Sequence, residues 1–226
     1  MPMNAALEGI ESSHATHAHT GAWVAAVLRE RISAGKLPPG TKLSEQALAE
    51  ALKVSRNTLR EAFTVLAGES MVQRIPNRGV FVASPGADDV REMYRVRGLI
   101  EPAAVLWGEP DEADFAAMDA VIARARLALA EGSVPGMADA NQELHKAIVA
   151  TTRSASLQEL MERVLAEMRL VFHAMATTPD FHSHYVERNA ALVDRIRSGE
   201  REGAAADLRE YLAAAEHELL VHIGAA

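Results

Sequence analysis

The first regular pattern in the chain is a helical spacing of apolar residues between Thr20 and about Ala34. The apolar positions are Val24, Val27, Leu28 and Ile32. Because residues three and four apart share one face of an α-helix, this spacing predicts an amphipathic helix. Gly35 and the Pro38-Pro39-Gly40 run interrupt the pattern and predict a tight connection.

Two further short helices are predicted, and each begins at a serine. Ser44 and Ser55 both precede an apolar-periodic run, and serine in that position caps the free N–H groups of a first turn. Leu43, just outside, and Leu48, inside, form the apolar pair of a hydrophobic staple. The expected core faces are Ala47, Leu48, Ala51 and Leu52 in the first of these helices, and Leu59, Ala62, Phe63 and Leu66 in the second.

After Gly68 the helical spacing gives way to short β-prone runs. Residues 71–75 and 80–82 are rich in Val, Ile and Phe, and Pro-Asn-Arg-Gly at 76–79 separates them. This predicts a β-hairpin in which Gly79 is available for a positive φ. Three helices and a hairpin within about 65 residues follow the order of a winged helix-turn-helix.

No convincing strand pattern follows the Ser84-Pro85-Gly86 linker. Helices are predicted at about 87–107, 111–131, 137–151, 155–176, 183–198 and 201–222, with Gly and Pro at the breaks between them. Six antiparallel helices with short connections predict a bundle that encloses any ligand site. The expected fold is mainly α: a winged helix-turn-helix at residues 20–84 and an all-α helical bundle at residues 85–226.

Residues 1–19 show neither a helical nor a strand period, and we expect a disordered arm. His14, His17 and His19 offer the alternative of weak metal binding. A solvated tail is favoured, because an unstructured arm is not pre-organised to hold metal ligands.

Composition excludes several classes of site. The chain has no cysteine, which rules out disulfides, thiolate zinc sites and cysteine nucleophiles. Aromatic residues make up only 4% of the chain, which favours a helical core over a sheet-rich one. No apolar run approaches the roughly 20 residues that span a bilayer, and the start of the chain lacks signal-peptide features. We therefore expect a cytoplasmic protein without a membrane partner.

The net charge of −8 is unevenly distributed along the chain. Residues 20–84 hold nine Lys or Arg and five Asp or Glu, a net +4, whereas residues 85–226 carry −10. Because phosphate binding is a local electrostatic effect, nucleic acid is a candidate partner of the N-terminal part alone.

The start of the third helix directs polar side chains away from its core face. With Ser55 as cap, Arg56, Asn57 and Thr58 occupy the first turn, and Arg60 follows one turn after Arg56. Arg can contact guanine bidentately in the major groove, and Asn can contact adenine in the same way. This is the pattern of a recognition helix, and the alternative is an ordinary solvated helix face.

The preceding helix and the hairpin add candidate backbone contacts. Ser44 and Gln46 lie at a helix start, where side chains and free N–H groups meet phosphates, and Arg78 and Gly79 lie at the hairpin tip. The predicted DNA-binding residues are Ser44, Gln46, Ser55, Arg56, Asn57, Thr58, Arg60, Arg78 and Gly79.

This part of the chain resembles the DNA-binding domain of the GntR family of regulators. The resemblance lies in three stretches that have the spacing of the family's motif: GxLxPGxxLSExxLAE at 35–50, VSRxxxREA at 54–62 and RGxFV at 78–82. It implies a homodimer that binds a short pseudo-palindromic operator, usually as a repressor. Asn57-Thr58-Leu59 departs from the commoner Thr-Pro-Val, which affects the operator sequence and not DNA binding itself.

The second half is similar to the FCD domain of the FadR subfamily. The matching residues are Arg97-x-x-Ile100-Glu101-x-x-Ala104, Leu144-His145-x-x-Ile148 followed by Leu157, and Ile196-x-x-Gly199. The resemblance implies an effector-binding helical domain. Many members hold a divalent metal with an Asp, a His four residues later and two further His on the last two helices.

In this chain those four positions are Asn141, His145, Asn189 and Tyr211, so His145 alone is a strong metal ligand. Amides bind transition metals poorly, and a phenol is rarely deprotonated near neutral pH. We therefore expect no metal and no other cofactor.

The same positions, together with Arg97 and Arg169, predict a cavity for a small organic anion. The candidate effector-binding residues are Arg97, Asn141, His145, Arg169, Asn189 and Tyr211. Arg binds carboxylates directly and bidentately, so a carboxylate is the expected ligand. The alternative is that these groups satisfy one another in a core that binds nothing.

The remaining histidines favour no second site. His173, His182 and His184 are expected in a surface loop, and His217 and His222 on the exposed side of the last helix. The favoured function is an effector-controlled regulator without catalytic residues. Two alternatives stay open: a metal-dependent enzyme using His145 with His182 or His184, and an architectural DNA binder whose bundle only dimerises.

Overall fold

The computed structural model describes residues 20–33, 35–174 and 179–224, and the predicted arm at 1–19 lies outside them. The chain divides into two compact units, with the boundary between Pro85 and Gly86. No helix in these ranges combines the length and the apolar composition needed to cross a membrane.

The first unit contains three helices and a small sheet. The elements are α1 (Gly21–Ser33), β1 (Lys42–Leu43), α2 (Glu45–Leu52), α3 (Arg56–Gly68), β2 (Val72–Ile75) and β3 (Gly79–Val82). The strand order is β1-β3-β2, and both pairs are antiparallel. The expected order of three helices and a hairpin is confirmed.

Both predicted serine caps form. The Ser44 side chain accepts a hydrogen bond from the Ala47 N–H (3.4 Å), and the Ser55 side chain accepts one from the Thr58 N–H (3.1 Å). In α3 the buried residues are those predicted: Leu59, Ala62, Phe63 and Leu66.

The predicted core face of α2 is partly wrong, because Ala51 is exposed and Ala49 is buried beside Leu48 and Leu52. At about 100° per residue, Ala49 and Ala51 lie at equal angles on either side of the Leu48–Leu52 stripe. Packing, and not periodicity, decides which of the two alanines enters the core.

Strand β1 was not predicted. It has two residues, which pair as Lys42 with Phe81 and Leu43 with Val80, and Leu43 is buried. Two residues are too few to show an alternation of apolar and polar positions. The strand joins the hairpin to the start of α2, because Ser44 follows it directly.

The second unit is all helical among its described residues. Its elements are α4 (Ala87–Trp107), α5 (Glu112–Ala130), α6 (Val134–Ala150), α7 (Ala155–Ala174), α8 (Pro179–Arg197) and α9 (Arg201–His222). The predicted bounds of α4 and α9 are confirmed at both ends. In the core, α4 packs against α6, α7 and α9, while α8 packs against α5, α6 and α9.

Two helix starts differ from the prediction. Helix α6 begins three residues early at Val134, because Ser133 caps it through the Gly136 N–H (3.3 Å) and Pro135 fits the first turn. Helix α8 begins at Pro179, four residues before the predicted start. Proline is compatible with a first turn, where N–H groups have no partner within the helix.

Candidate functional site

The first turn of α3 forms an exposed polar surface. Arg56 and Asn57 are exposed and Thr58 is half-buried. The Asn57 amide donates to Glu61 Oε1 (3.0 Å), and Ser55 Oγ lies 2.8 Å from Thr58 Oγ1. Among the residues that the structure describes, no hydrogen bond or ion pair engages the Arg56 guanidinium, so it is available to a partner from outside the chain.

Arg60 is exposed but already paired. Its Nε atom lies 3.0 Å from Glu45 Oε2 and 3.2 Å from Oε1, and the side chain of Arg60 is 58% exposed. This hydrogen bond raises the pKa of the Arg60 guanidinium. The pair also connects α3 to the start of α2, so a phosphate or base contact by Arg60 would compete with Glu45.

The remaining residues of this surface lie on α2 and the hairpin. Gln46 is exposed, and Ser44 is half-buried by its capping role. Arg78 and Gly79 are exposed at the hairpin tip, and the Arg78 guanidinium lies 5.6 Å from the Phe81 ring centroid.

Strand β1, beside the hairpin, holds a basic residue that was not among the predicted DNA-binding residues. The Lys42 ammonium lies 5.9 Å from the same Phe81 ring, on the strand paired with β3. Cations are attracted to ring faces at such distances. Because β1 was not predicted, the sequence did not show that Lys42 and Arg78 both lie near the Phe81 ring.

The second candidate site is a buried polar network inside the helical bundle. Arg97 Nε donates to Glu101 Oε1 (2.6 Å), and Glu101 Oε2 lies 2.6 Å from His145 Nδ1. The other ring nitrogen of His145 lies 3.3 Å from the Tyr211 hydroxyl, which accepts a hydrogen bond from the Asn141 amide (2.6 Å). The network thus joins three helices: α4 through Arg97 and Glu101, α6 through Asn141 and His145, and α9 through Tyr211. Asn189 on α8 is buried, and its Oδ1 atom has no hydrogen-bond partner.

Burial and neighbouring groups set the protonation states of this network. Burial alone raises the pKa of Glu101, but the charge of Arg97 and the hydrogen bond from His145 outweigh it and lower that pKa to about 2. Burial lowers the pKa of His145. Burial also raises the pKa of Tyr211 to about 12. At neutral pH the network therefore contains a guanidinium, a carboxylate, a neutral imidazole and a neutral phenol.

Glu101 is the residue that the sequence analysis missed here. Glu101 lies in the stretch that resembles the FCD domain but is not among the predicted site residues, although it joins Arg97 to His145. A glutamate four residues after an arginine lies on the same helix face, and that spacing was the available signal.

A small cavity of about 10 Å³ adjoins the network. Of the predicted effector-binding residues, Arg97, Asn141 and Tyr211 line it. His145 lies behind Tyr211 and contacts its ring, with centroids 5.4 Å apart. Asn189 is buried but does not line the cavity.

Arg169 is not brought to this cavity. Its guanidinium pairs with Asp139 Oδ1 (2.7 Å), and its Nε donates to Gln142 Oε1 (3.2 Å). The side chain extends from α7 to α6, because both of its acceptors lie on that helix. Arg169 therefore does not line the same cavity as Arg97, contrary to the prediction.

His182 corrects the prediction of a histidine-bearing surface loop. It lies in α8, is 4% exposed and lines the cavity. His184, two residues later, is exposed and lies 3.5 Å from Glu218 Oε1. The two side chains point in different directions, as expected for residues two apart in a helix. The side chain of His173 lies outside the described part of the structure.

His217 and His222 are exposed on α9, as predicted.

The residues present do not fit a divalent metal. His145 has both ring nitrogens within hydrogen-bonding distance of Glu101 and Tyr211, and Glu101 is already paired with the Arg97 cation. A metal ion at His145 would have to displace these partners close to a guanidinium. Within residues 20–33, 35–174 and 179–224, no group of three or more His, Asp or Glu is arranged to hold a metal.

Comparison with known proteins divides the chain in the same way. A family model described as "Bacterial regulatory proteins, gntR family" matches residues 20–82, and one described as "FCD domain" matches residues 92–214. A solved structure of a putative transcriptional regulator GntR from Rhodococcus sp. RHA1 is 37% identical. It covers 88% of this chain and 97% of its own, with a TM-score of 0.83.

Two proteins with similar sequences are also named as transcriptional regulators. An uncharacterized HTH-type transcriptional regulator of Bacillus subtilis is 28% identical over 61% of this chain, and the match spans 62% of the relative's length. The gluconate operon transcriptional repressor of Bacillus licheniformis is 40% identical over 38% of this chain and 35% of its own length. This chain therefore spans less than two thirds of either relative.

Proposed function

This chain belongs to the GntR family of bacterial regulatory proteins and carries an FCD domain, and from that we propose that it is a transcriptional repressor controlled by a small organic acid. The expected resemblance of both parts is confirmed by the family matches. The proposal assigns operator binding to the first unit and acid binding to the second. It includes no catalytic role and no metal.

The observation that carries the DNA-binding half is the capped, exposed first turn of α3. Ser55 fixes the turn, Asn57 presents an amide, and Arg56 is free to contact a base or phosphate. Arg and Asn are the side chains with the most selective major-groove contacts. Arg78 at the hairpin tip and Gln46 on α2 support backbone contacts beside it.

The observation that carries the acid-binding half is a buried guanidinium nitrogen, Arg97 Nη2, that lacks a hydrogen-bond partner. Arg97 is 2% exposed, and its Nη2 atom has no hydrogen-bond partner although Nε is paired with Glu101. Buried polar groups without partners are uncommon and call for an explanation. A carboxylate bound to Nη2 would complete the hydrogen bonding of this guanidinium.

We further propose that the protein acts as a homodimer in the cytoplasm and recognises a pseudo-palindrome. Each chain carries one copy of α3, so two chains related by a twofold axis would read two inverted half-sites. The name of the gluconate operon relative supports the repressor assignment.

Selection of bound duplexes from a randomised DNA pool by the full chain tests the DNA-binding half. We expect an inverted repeat to be enriched, and the Arg56→Ala variant to lose that enrichment. Enrichment of no sequence above background would refute operator recognition.

The selected duplex then serves to test control by acids and the absence of a metal. Titration of organic acids into the protein–DNA complex is expected to release the duplex in a gel-shift assay, before and after dialysis against a chelator. Release that requires added zinc or nickel would refute the metal-free site. Binding that no acid changes would instead favour an architectural DNA binder.

A further inference from the structure

Aromatic side chains are concentrated around the cavity of the second unit. The whole chain has three tyrosines, and all three, Tyr94, Tyr185 and Tyr211, line this cavity. Phe172 and Phe181 complete the ring-bearing wall. Because aromatic residues are only 4% of the chain, this grouping sets the cavity apart from the aliphatic core around it.

The rings of the wall meet edge to face. Phe181 lies 5.9 Å from Phe172 and 5.7 Å from Tyr185, and Tyr185 lies 4.6 Å from Tyr211. Such contacts are favourable because the positive edge of one ring faces the negative face of another. A planar aromatic ligand replaces these contacts with contacts of the same kind, whereas an aliphatic ligand does not.

Two buried nitrogen atoms on the lining residues lack partners. They are Arg97 Nη2 and His182 Nε2, and both side chains are less than 5% exposed. Burial, with a smaller effect from His184, lowers the pKa of His182 to about 4, so its ring is neutral near pH 7. The cavity therefore offers one cationic donor and one neutral imidazole, together with an aromatic wall.

The cavity is too small to hold any ligand larger than water without movement of the side chains that line it. A volume of about 10 Å³ is room for about one water molecule. A ligand larger than water must displace side chains of the wall, and Phe172, Phe181 and His182 contact one another through ring edges, with centroids 4.8 to 5.9 Å apart.

We propose, on the basis of the function proposed above, that the effector is a small aromatic carboxylate with a ring hydroxyl. Its carboxylate binds Arg97 Nη2, its ring packs among Phe172, Phe181 and Tyr185, and its hydroxyl bonds His182 Nε2. Each unpaired nitrogen then gains a hydrogen-bond partner, and contacts between the ligand ring and the wall replace the contacts that the rings of the wall make with one another.

Calorimetry with the full chain and a matched series of probes tests the ligand class. The probes are benzoate, its three hydroxy derivatives, cyclohexanecarboxylate and benzamide. We expect the best hydroxybenzoate to bind about tenfold more tightly than benzoate, because it gives His182 a hydrogen bond. Benzoate should bind about tenfold more tightly than cyclohexanecarboxylate, which lacks the ring, and than benzamide, which lacks the charge.

Two variants and a control assign the contacts. His182→Phe should remove the preference for the hydroxybenzoate while leaving the affinity for benzoate within about threefold. Phe172→Leu should reduce the preference for benzoate over cyclohexanecarboxylate. His184→Gln, which changes an exposed histidine on the same helix, should alter neither preference.

The outcomes separate this inference from the function on which it depends. If an aliphatic acid binds and releases the operator while the aromatic acids do not bind, the proposed aromatic effector is wrong. The proposed control of DNA binding by an organic acid is then retained. If neither kind of acid binds, both are wrong and a buried water is the better occupant. A hydroxyl preference that persists in His182→Phe would overturn the role of His182.

Discussion

Replacement of Glu101 by glutamine tests whether the buried network stabilises the second unit. Glu101 is fully buried and has one oxygen 2.6 Å from Arg97 Nε and the other 2.6 Å from His145 Nδ1. A glutamine oxygen can accept from Arg97 Nε, but its NH₂ group can bond His145 Nδ1 only if the imidazole carries its hydrogen on Nε2. The substitution also leaves the Arg97 charge buried without a counter-ion.

The expected loss of stability is about 3–5 kcal/mol, the usual cost of removing one partner of a buried ion pair. The lowered pKa of Glu101 has the matching sign, because it means that the folded state favours the carboxylate over the neutral acid. For a chain of this size, such a loss lowers the melting temperature by roughly 10 °C.

Urea and thermal unfolding of the full chain, followed by circular dichroism, measure the effect. Glu92→Gln is the matched control, because Glu92 pairs with Arg95 on the exposed side of the same helix and should cost less than about 1 kcal/mol. Adding Arg97→Met to Glu101→Gln should recover part of the stability, since the uncompensated charge is then gone. A Glu101→Gln chain as stable as the Glu92→Gln control would refute the reasoning.

Three further substitutions have defined outcomes. Arg56→Ala should weaken binding to the selected operator by about 10- to 100-fold in a gel-shift titration, and an unchanged affinity would remove Arg56 from the interface. Ser55→Ala should lower stability by about 1 kcal/mol in urea unfolding, because the Thr58 N–H loses its cap; a neutral effect would mean that the cap is dispensable. His182→Phe should flatten the pH dependence of stability, because a histidine with a depressed folded pKa stabilises the fold above pH 6.5 and this contribution is lost as the pH falls to about 4. Parallel pH profiles of the variant and the wild type would contradict the buried, neutral state of His182.

Periodicity predicted the elements whose apolar stripe is long and unambiguous. The buried residues of α3 and the bounds of α4 and α9 follow the sequence pattern. It failed at α2, where Ala49 and Ala51 lie symmetrically about the stripe, and at β1, which is too short to have a pattern.

The candidate sites were predicted less completely, because their geometry depends on packing between helices. Asn141 and Tyr211 are 70 residues apart, yet their side chains are hydrogen-bonded. Only the resemblance to the FCD domain placed these two residues in one site. His182 was assigned to a loop because α8 begins four residues before the predicted start. Arg169 was grouped with Arg97 by charge alone, and nothing in its local pattern showed that Asp139 would pair with it.

The small volume of the cavity has a consequence for the kinetics of binding. A space of about 10 Å³ admits no organic acid until the ring-bearing wall opens, so each binding event must wait for that opening. In a rapid-mixing experiment, the observed rate would rise with acid concentration and then level off at the rate of opening, instead of increasing without limit. Once the acid is saturating, the speed of the regulatory response would then be set by the packing of Phe172, Phe181 and His182 and no longer by the supply of the acid.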